Sequence, residues 1–86
     1  MRLELSSHAQ EECQRRNIPV NFLEELLDKP QQRLESYGNR IIYQSKFFID
    51  GNEYLIRAVV DENTDPNRVI TVYRTSKIQK YWRVEL

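Results

Sequence analysis

The apolar pattern of this 86-residue chain changes period once, near Pro30, and that change constrains the fold more than any single residue does. Before Pro30 the spacing is helical. Ser7 stands as a candidate N-cap with Gln10 three residues on, the arrangement of a capping box. His8–Arg16 then runs polar, with Ala9 and Cys13 at i and i+4 as the inward stripe. Asn17-Ile18-Pro19 stops this helix, because a residue before proline is pushed out of the helical region. Val20, Phe22, Leu23, Leu26 and Leu27 give a second helix, Val20–Asp28, one apolar face, and Pro30 marks its end.

After Pro30 the period is two. Arg33–Tyr37 reads as a short first strand and Gly38-Asn39 as a turn. Residues 40–49 are β-branched and aromatic, which suits a second strand, and Asp50-Gly51 is a hairpin signal. The third strand, Glu53–Asp61, sets Ile56, Ala58 and Val60 on one face and Leu55, Arg57 and Val59 on the other. Asn63-Thr64-Asp65-Pro66-Asn67 is a turn cluster. The fourth strand, Arg68–Arg74, sets Val69, Thr71 and Tyr73 opposite Ile70 and Val72. Ser76–Leu86 reads as a short helix or a tail, whose Tyr81 and Trp82 either meet a partner or fold back onto the sheet. Helices followed by strands predict an α+β domain, 1–86: two helices packed on one face of an antiparallel four-stranded meander.

Composition narrows the function classes. Lys plus Arg is 13 and Asp plus Glu is 13, so neither a basic nucleic-acid coat protein nor an acidic tail describes the whole chain. One cysteine excludes an intrachain disulfide and a Cys-based zinc site. Two glycines leave no glycine-rich phosphate loop, and one histidine leaves no histidine pair for a metal. Asp61, Glu62 and Asp65 match no cation-binding loop and read as a solvated turn. Cys13 has no companion to activate it and reads as a small core residue. No apolar run approaches the roughly 18 residues of a membrane span, and the opening lacks a signal region. The expectation is a cytoplasmic, reduced protein with no cofactor, no metal and no membrane partner.

The charge is segregated all the same. Arg68, Arg74, Lys77, Lys80 and Arg83 meet no acid between residues 68 and 83, whereas residues 4–28 carry Glu4, Glu11, Glu12, Glu24, Glu25 and Asp28. Cations interleaved with Tyr73, Tyr81 and Trp82 fit RNA, since cations neutralise phosphates and aromatic rings stack on unpaired bases. The bland alternative is the solvated edge of a last strand, where Lys and Arg prevent edge-to-edge pairing. Arg57, on a strand that otherwise reads as buried, either reaches a carboxylate or lines a cleft that takes phosphate. Lys46 poses the same question between Gln44-Ser45 and Phe47-Phe48. His8, in the first turn of a helix, is either a general base or an exposed capping residue.

Ser6-Ser7-His8-Ala9, followed by Arg15-Arg16-Asn17-Ile18 and a second helix ending at Pro30, is similar to the opening of a family of small bacterial domains of unknown function. Tyr54–Val60 and Ile70–Lys77 resemble the closing strands of that family. The family in turn resembles a branch of the RelE/ParE/BrnT-like toxin superfamily of BECR-type ribonucleases. The resemblance implies a RelE-like sheet, metal-free RNA cleavage and a cognate antitoxin as partner. Carried onto this chain, it implies His8 as the base for the 2′-hydroxyl, Arg57 as the phosphate clamp and Tyr73 or Lys77 as a further stabiliser. Thr71, Thr75 and Lys77 would line the substrate, beside Arg74 and Lys80 of the basic stripe. Ribosome-dependent members are basic and this chain is neutral, which leaves a free-RNA substrate or a lost activity. The competing expectation is a non-catalytic interaction module. The discriminating geometry is whether His8 and Arg57 converge with Tyr73 or Lys77, or lie on opposite sides.

Overall fold

A computed structural model describes residues 3–84. The two sequence helices are present: α1 spans Ser7–Arg15 and α2 spans Val20–Asp28. The cap of α1 is Ser6, one residue earlier than the spacing suggested. Its hydroxyl accepts from the Ala9 amide at 3.0 Å and donates to the Ile70 carbonyl at 2.9 Å. One side chain thus satisfies an orphan helix donor and ties the helix to a strand 64 residues away. Asn17 takes a positive φ of 51° and turns the chain toward Pro19, which precedes α2.

Strands β1 (Leu3–Leu5), β2 (Gln32–Glu35), β3 (Arg40–Ile49), β4 (Asn52–Asp61) and β5 (Asn67–Thr75) form one sheet in the order β1-β5-β4-β3-β2. The sheet therefore has five strands and is mixed, not the four-stranded antiparallel meander expected. β2 to β5 do form that meander, and the added strand β1 runs parallel to β5, with Leu5 opposite Val69. Three residues are too short to display a period, and their partner lies at the far end of the chain. The hairpin between β3 and β4 turns at Asp50 and Gly51, both at positive φ (52° and 81°), as a two-residue loop of matching twist requires. A last short helix, α3, spans Ile78–Tyr81.

Both helices pack on one face of the sheet. Ala9, Ile18, Leu23 and Leu26 meet Ile41, Tyr43, Phe47, Ile56, Ala58, Val60, Val69 and Val72 in a single buried cluster. The face assignment of β4 follows the alternation read from sequence. That of β5 does not. Val59 pairs Thr71 but Val60 pairs Val69, so Ile70 is an extra residue in a β-bulge. The bulge shifts the phase, and Val69 joins Val72 in the core instead of Thr71 and Tyr73 on the far side. Arg74, opposite Ile56, shares the helix face, while Tyr73, opposite Arg57, does not.

Ile56 has no exposed surface and stands in the middle of this cluster. Ile56→Ala is expected to lower unfolding stability by about 2–5 kcal/mol in urea titrations, through lost transfer energy and the cavity left behind. Val20→Ala, at a residue 69% exposed, should stay within about 0.5 kcal/mol of the parent.

Candidate nucleic-acid interface

The face of the sheet away from the helices carries Gln32, Gln44, Arg57 and Tyr73 in one straight row. Register makes them neighbours on four successive strands: Gln32 pairs Gln44, Gln44 pairs Arg57, and Arg57 pairs Tyr73. Their side chains form a continuous hydrogen-bonded line. Gln44 Nε2 donates to Gln32 Oε1 at 2.7 Å, Arg57 Nε donates to Gln44 Oε1 at 2.8 Å, and Arg57 Nη1 donates to the Tyr73 hydroxyl at 2.5 Å. Gln44 is fully buried. A polar side chain so placed must be paired, and this one is paired on both sides.

The chain after β5 lies across this row as a strap. Gln44 Nε2 also donates to the Tyr81 carbonyl at 3.2 Å. Gln32 grips Arg83 twice: its Nε2 donates to the Arg83 carbonyl at 2.5 Å, and its Oε1 accepts the Arg83 amide at 3.1 Å. Aromatic rings close over the cations. The Tyr81 ring centre lies 4.3 Å from the Arg57 guanidinium, and the Trp82 ring 4.1 Å from Lys46 Nζ. Tyr73 and Tyr81 meet edge to face at 6.4 Å. Of the two arrangements open from sequence, Tyr81 and Trp82 adopt the one folded back onto the sheet.

Arg57 therefore reaches no carboxylate among the described residues. Its partners among them are an amide oxygen, a hydroxyl and two tyrosine rings. The acids one would expect to pair with it are engaged elsewhere. Asp61 accepts from Arg40 at 2.8 Å. Glu62 takes a hydrogen bond from Tyr43 at 2.5 Å and pairs with Arg33, whose guanidinium foremost holds its carboxyl below the usual range. Burial, reinforced by Glu62, pushes the Tyr43 hydroxyl up. These bonds also show that the acids of the turn cluster serve the sheet rather than only solvent.

Next to the row, Lys46, Lys77 and Lys80 surround a depression of about 580 Å³, completed by Glu53, Ser76, Ile78 and Gln79. Three cations against one acid make it a place for anions. A depression of about 610 Å³ on the other side, beside α2, is lined by Glu24, Glu25, Asp28 and Lys29 and has the opposite character. The segregation of charge seen in sequence is a segregation in space.

The sequence-predicted site residues divide between the two sides. Arg57 and Tyr73 are in direct contact, flanked by Thr71 and Thr75 on the same face of β5. Lys77 and Lys80 stand at the edge of that face. Arg74 lies on the helix face, its guanidinium 4.8 Å from the Tyr54 ring and one buried nitrogen without a hydrogen-bond partner. His8 is exposed on α1, in the layer whose Ala9 joins the same buried cluster as Ile56 and Ala58. Since Arg57 alternates with those two residues, the sheet stands between His8 and Arg57. The two do not share a hollow. Gln32 and Gln44, which organise the row, were missed by sequence reasoning; the signal available was a glutamine amid the apolar residues of β3.

α1 has its own ion cluster. Glu12, only 7% exposed, receives Arg15 Nε and Nη2 at 2.7 Å each and Arg16 Nε at 3.1 Å. These bonds, Arg15 foremost, hold its carboxyl at about 2, below the ordinary 4.5. A lowered folded-state value stabilises the fold above the unfolded one and loses that contribution as pH falls toward about 2. Thermal melts from pH 5 to 2 should therefore fall more steeply for the parent than for Glu12→Gln.

A family model described as a domain of unknown function (DUF4258) matches residues 5–74. No curated protein and no solved structure matches the chain.

Proposed function

The chain belongs to the DUF4258 family of domains of unknown function, and from that premise we propose that it is an RNA-binding domain whose binding surface is the face of the sheet away from α1 and α2. The observation that carries this reading is Arg57: a half-buried guanidinium, oriented by Gln44 and Tyr73, with no carboxylate against it among the described residues. A cation held in place by neutral donors and acceptors is prepared for an anion. Lys46, Lys77 and Lys80 extend the positive surface beside it. Tyr73, Tyr81 and Trp82 supply the rings on which unpaired bases stack. Phosphate in a single strand, with bases able to splay, matches both features together.

The ribonuclease reading is narrower than the resemblance implied. Cleavage needs a group to take the 2′-hydroxyl proton, and His8 lies behind the sheet. The RNA-binding reading needs only the cations and rings on the strap face, so it is the one the geometry favours over a toxin-like nuclease. Membership of the toxin superfamily and an antitoxin partner rest on the resemblance alone.

Binding of a labelled single-stranded oligouridylate, followed by fluorescence anisotropy, tests the proposal. Contacts from Arg57 and the three lysines should give a log–log salt slope of roughly −2 to −3, at about 0.7 per phosphate neutralised on a single strand. Arg57→Ala should weaken binding about 10-fold or more, with Arg57→Lys intermediate, while His8→Ala leaves it unchanged. Equal affinity of the Arg57→Ala and parent proteins, both folded by circular dichroism, overturns the assignment. Electrophoresis of the same oligonucleotide in chelator after incubation reads cleavage directly, and an intact strand is the expected result.

A further inference from the structure

We infer that the C-terminal strap, Lys77–Arg83, is an autoinhibitory lid on the RNA face, which RNA displaces. The inference rests on the RNA-binding reading and adds its regulation: the strap swings off Arg57 and Lys46, and its own Lys77, Lys80, Tyr81 and Trp82 then meet the strand it has admitted. The strap occupies the space a strand must enter. The Tyr81 ring centre lies 4.3 Å from the Arg57 guanidinium, on a side of that cation that phosphate gains only when the ring moves. Trp82 covers Lys46 in the same way. The two sheet cations Arg57 and Lys46 are thus each matched by an aromatic ring of the strap, in the relation a base would adopt.

The attachment is polar and short. The strap is tied to the sheet by the backbone of two residues, Tyr81 at Gln44 and Arg83 at Gln32. Neither Tyr81 nor Trp82 is buried to the degree of the core side chains, and α3 holds a single turn, Ile78–Tyr81. Hydrogen bonds and cation–π contacts at a half-exposed surface are each modest, and water or nucleic acid replaces them readily. The helix-side core does not include the strap, so that core stays closed when the strap lifts, at the cost of disturbing Leu55, which is fully buried on the strap face.

Gln32 is the place to test this. It holds Arg83 through two hydrogen bonds and does not touch Arg57. Trp82 is the only tryptophan of the chain, so its fluorescence reports the strap directly. In the full chain, Gln32→Leu should raise the quenching of Trp82 by acrylamide in the absence of RNA. It should also tighten oligouridylate binding, by about tenfold for a strap closed nine-tenths of the time in the parent. Arg57→Ala added to Gln32→Leu should remove the gain. In the unaltered protein, saturating oligouridylate should change the quenching of Trp82, a measurement that depends on no variant. The lid is overturned, and RNA binding left standing, if the parent binds RNA with Trp82 unperturbed and Gln32→Leu binds no more tightly. It is overturned together with the binding reading if neither protein binds RNA.

Discussion

A guanidinium with no counterion among the described residues sits at the centre of this molecule's chemistry. Arg57 is held where the register of three strand pairs places it, and the side chains on either side of it in that row are neutral. An ion pair there would have completed a closed, structural polar core. Neutral partners fix the orientation of the cation while leaving its charge unanswered. The buried amide of Gln44 is what makes this arrangement stable. It accepts from Arg57 on one side and donates toward Gln32 and the strap on the other, so removing it would leave several polar groups unpaired at once.

The two faces of the sheet do different work for a reason visible in the alternation of β4. Ile56, Ala58 and Val60 leave no polar group toward the helices, and the core forms there. Leu55, Arg57 and Val59 face the strap, where apolar and charged groups alternate along the strand. A small domain has few residues with which to cover both faces, and seven residues of strap cover the second one. The cover is tied down by hydrogen bonds and ring contacts, on a face where Leu55 is also fully buried. Stability and ligand access are thereby assigned to opposite sides of one sheet.

Much of this could be read from the sequence. The limits of α2 and β3, the hairpin at Asp50-Gly51 and the face assignment of β4 follow from spacing and turn chemistry. Arg57 stands out from the strand pattern and Tyr73 from the basic, aromatic stripe, and the structure brings them together. What could not be read has physical causes. β1 is three residues long and pairs with a strand more than sixty residues away, so no local pattern announces it. The bulge at Ile70 adds a residue without changing the composition of β5, and a strict period of two then puts Val69 on the wrong face. His8 was joined to Arg57 by motif, and a motif carries no information on which side of a sheet a helix packs.

The central claim is that Arg57 is the anion-binding group of the strap face. The most direct measurement is the side-chain Nε–H resonance of each arginine in a nitrogen-15 labelled protein, followed by NMR during titration with oligouridylate. The account predicts that the Arg57 signal moves most, with Arg15 and Arg16 on α1 unaffected. An unmoved Arg57 signal while arginines on the helix side respond would contradict it.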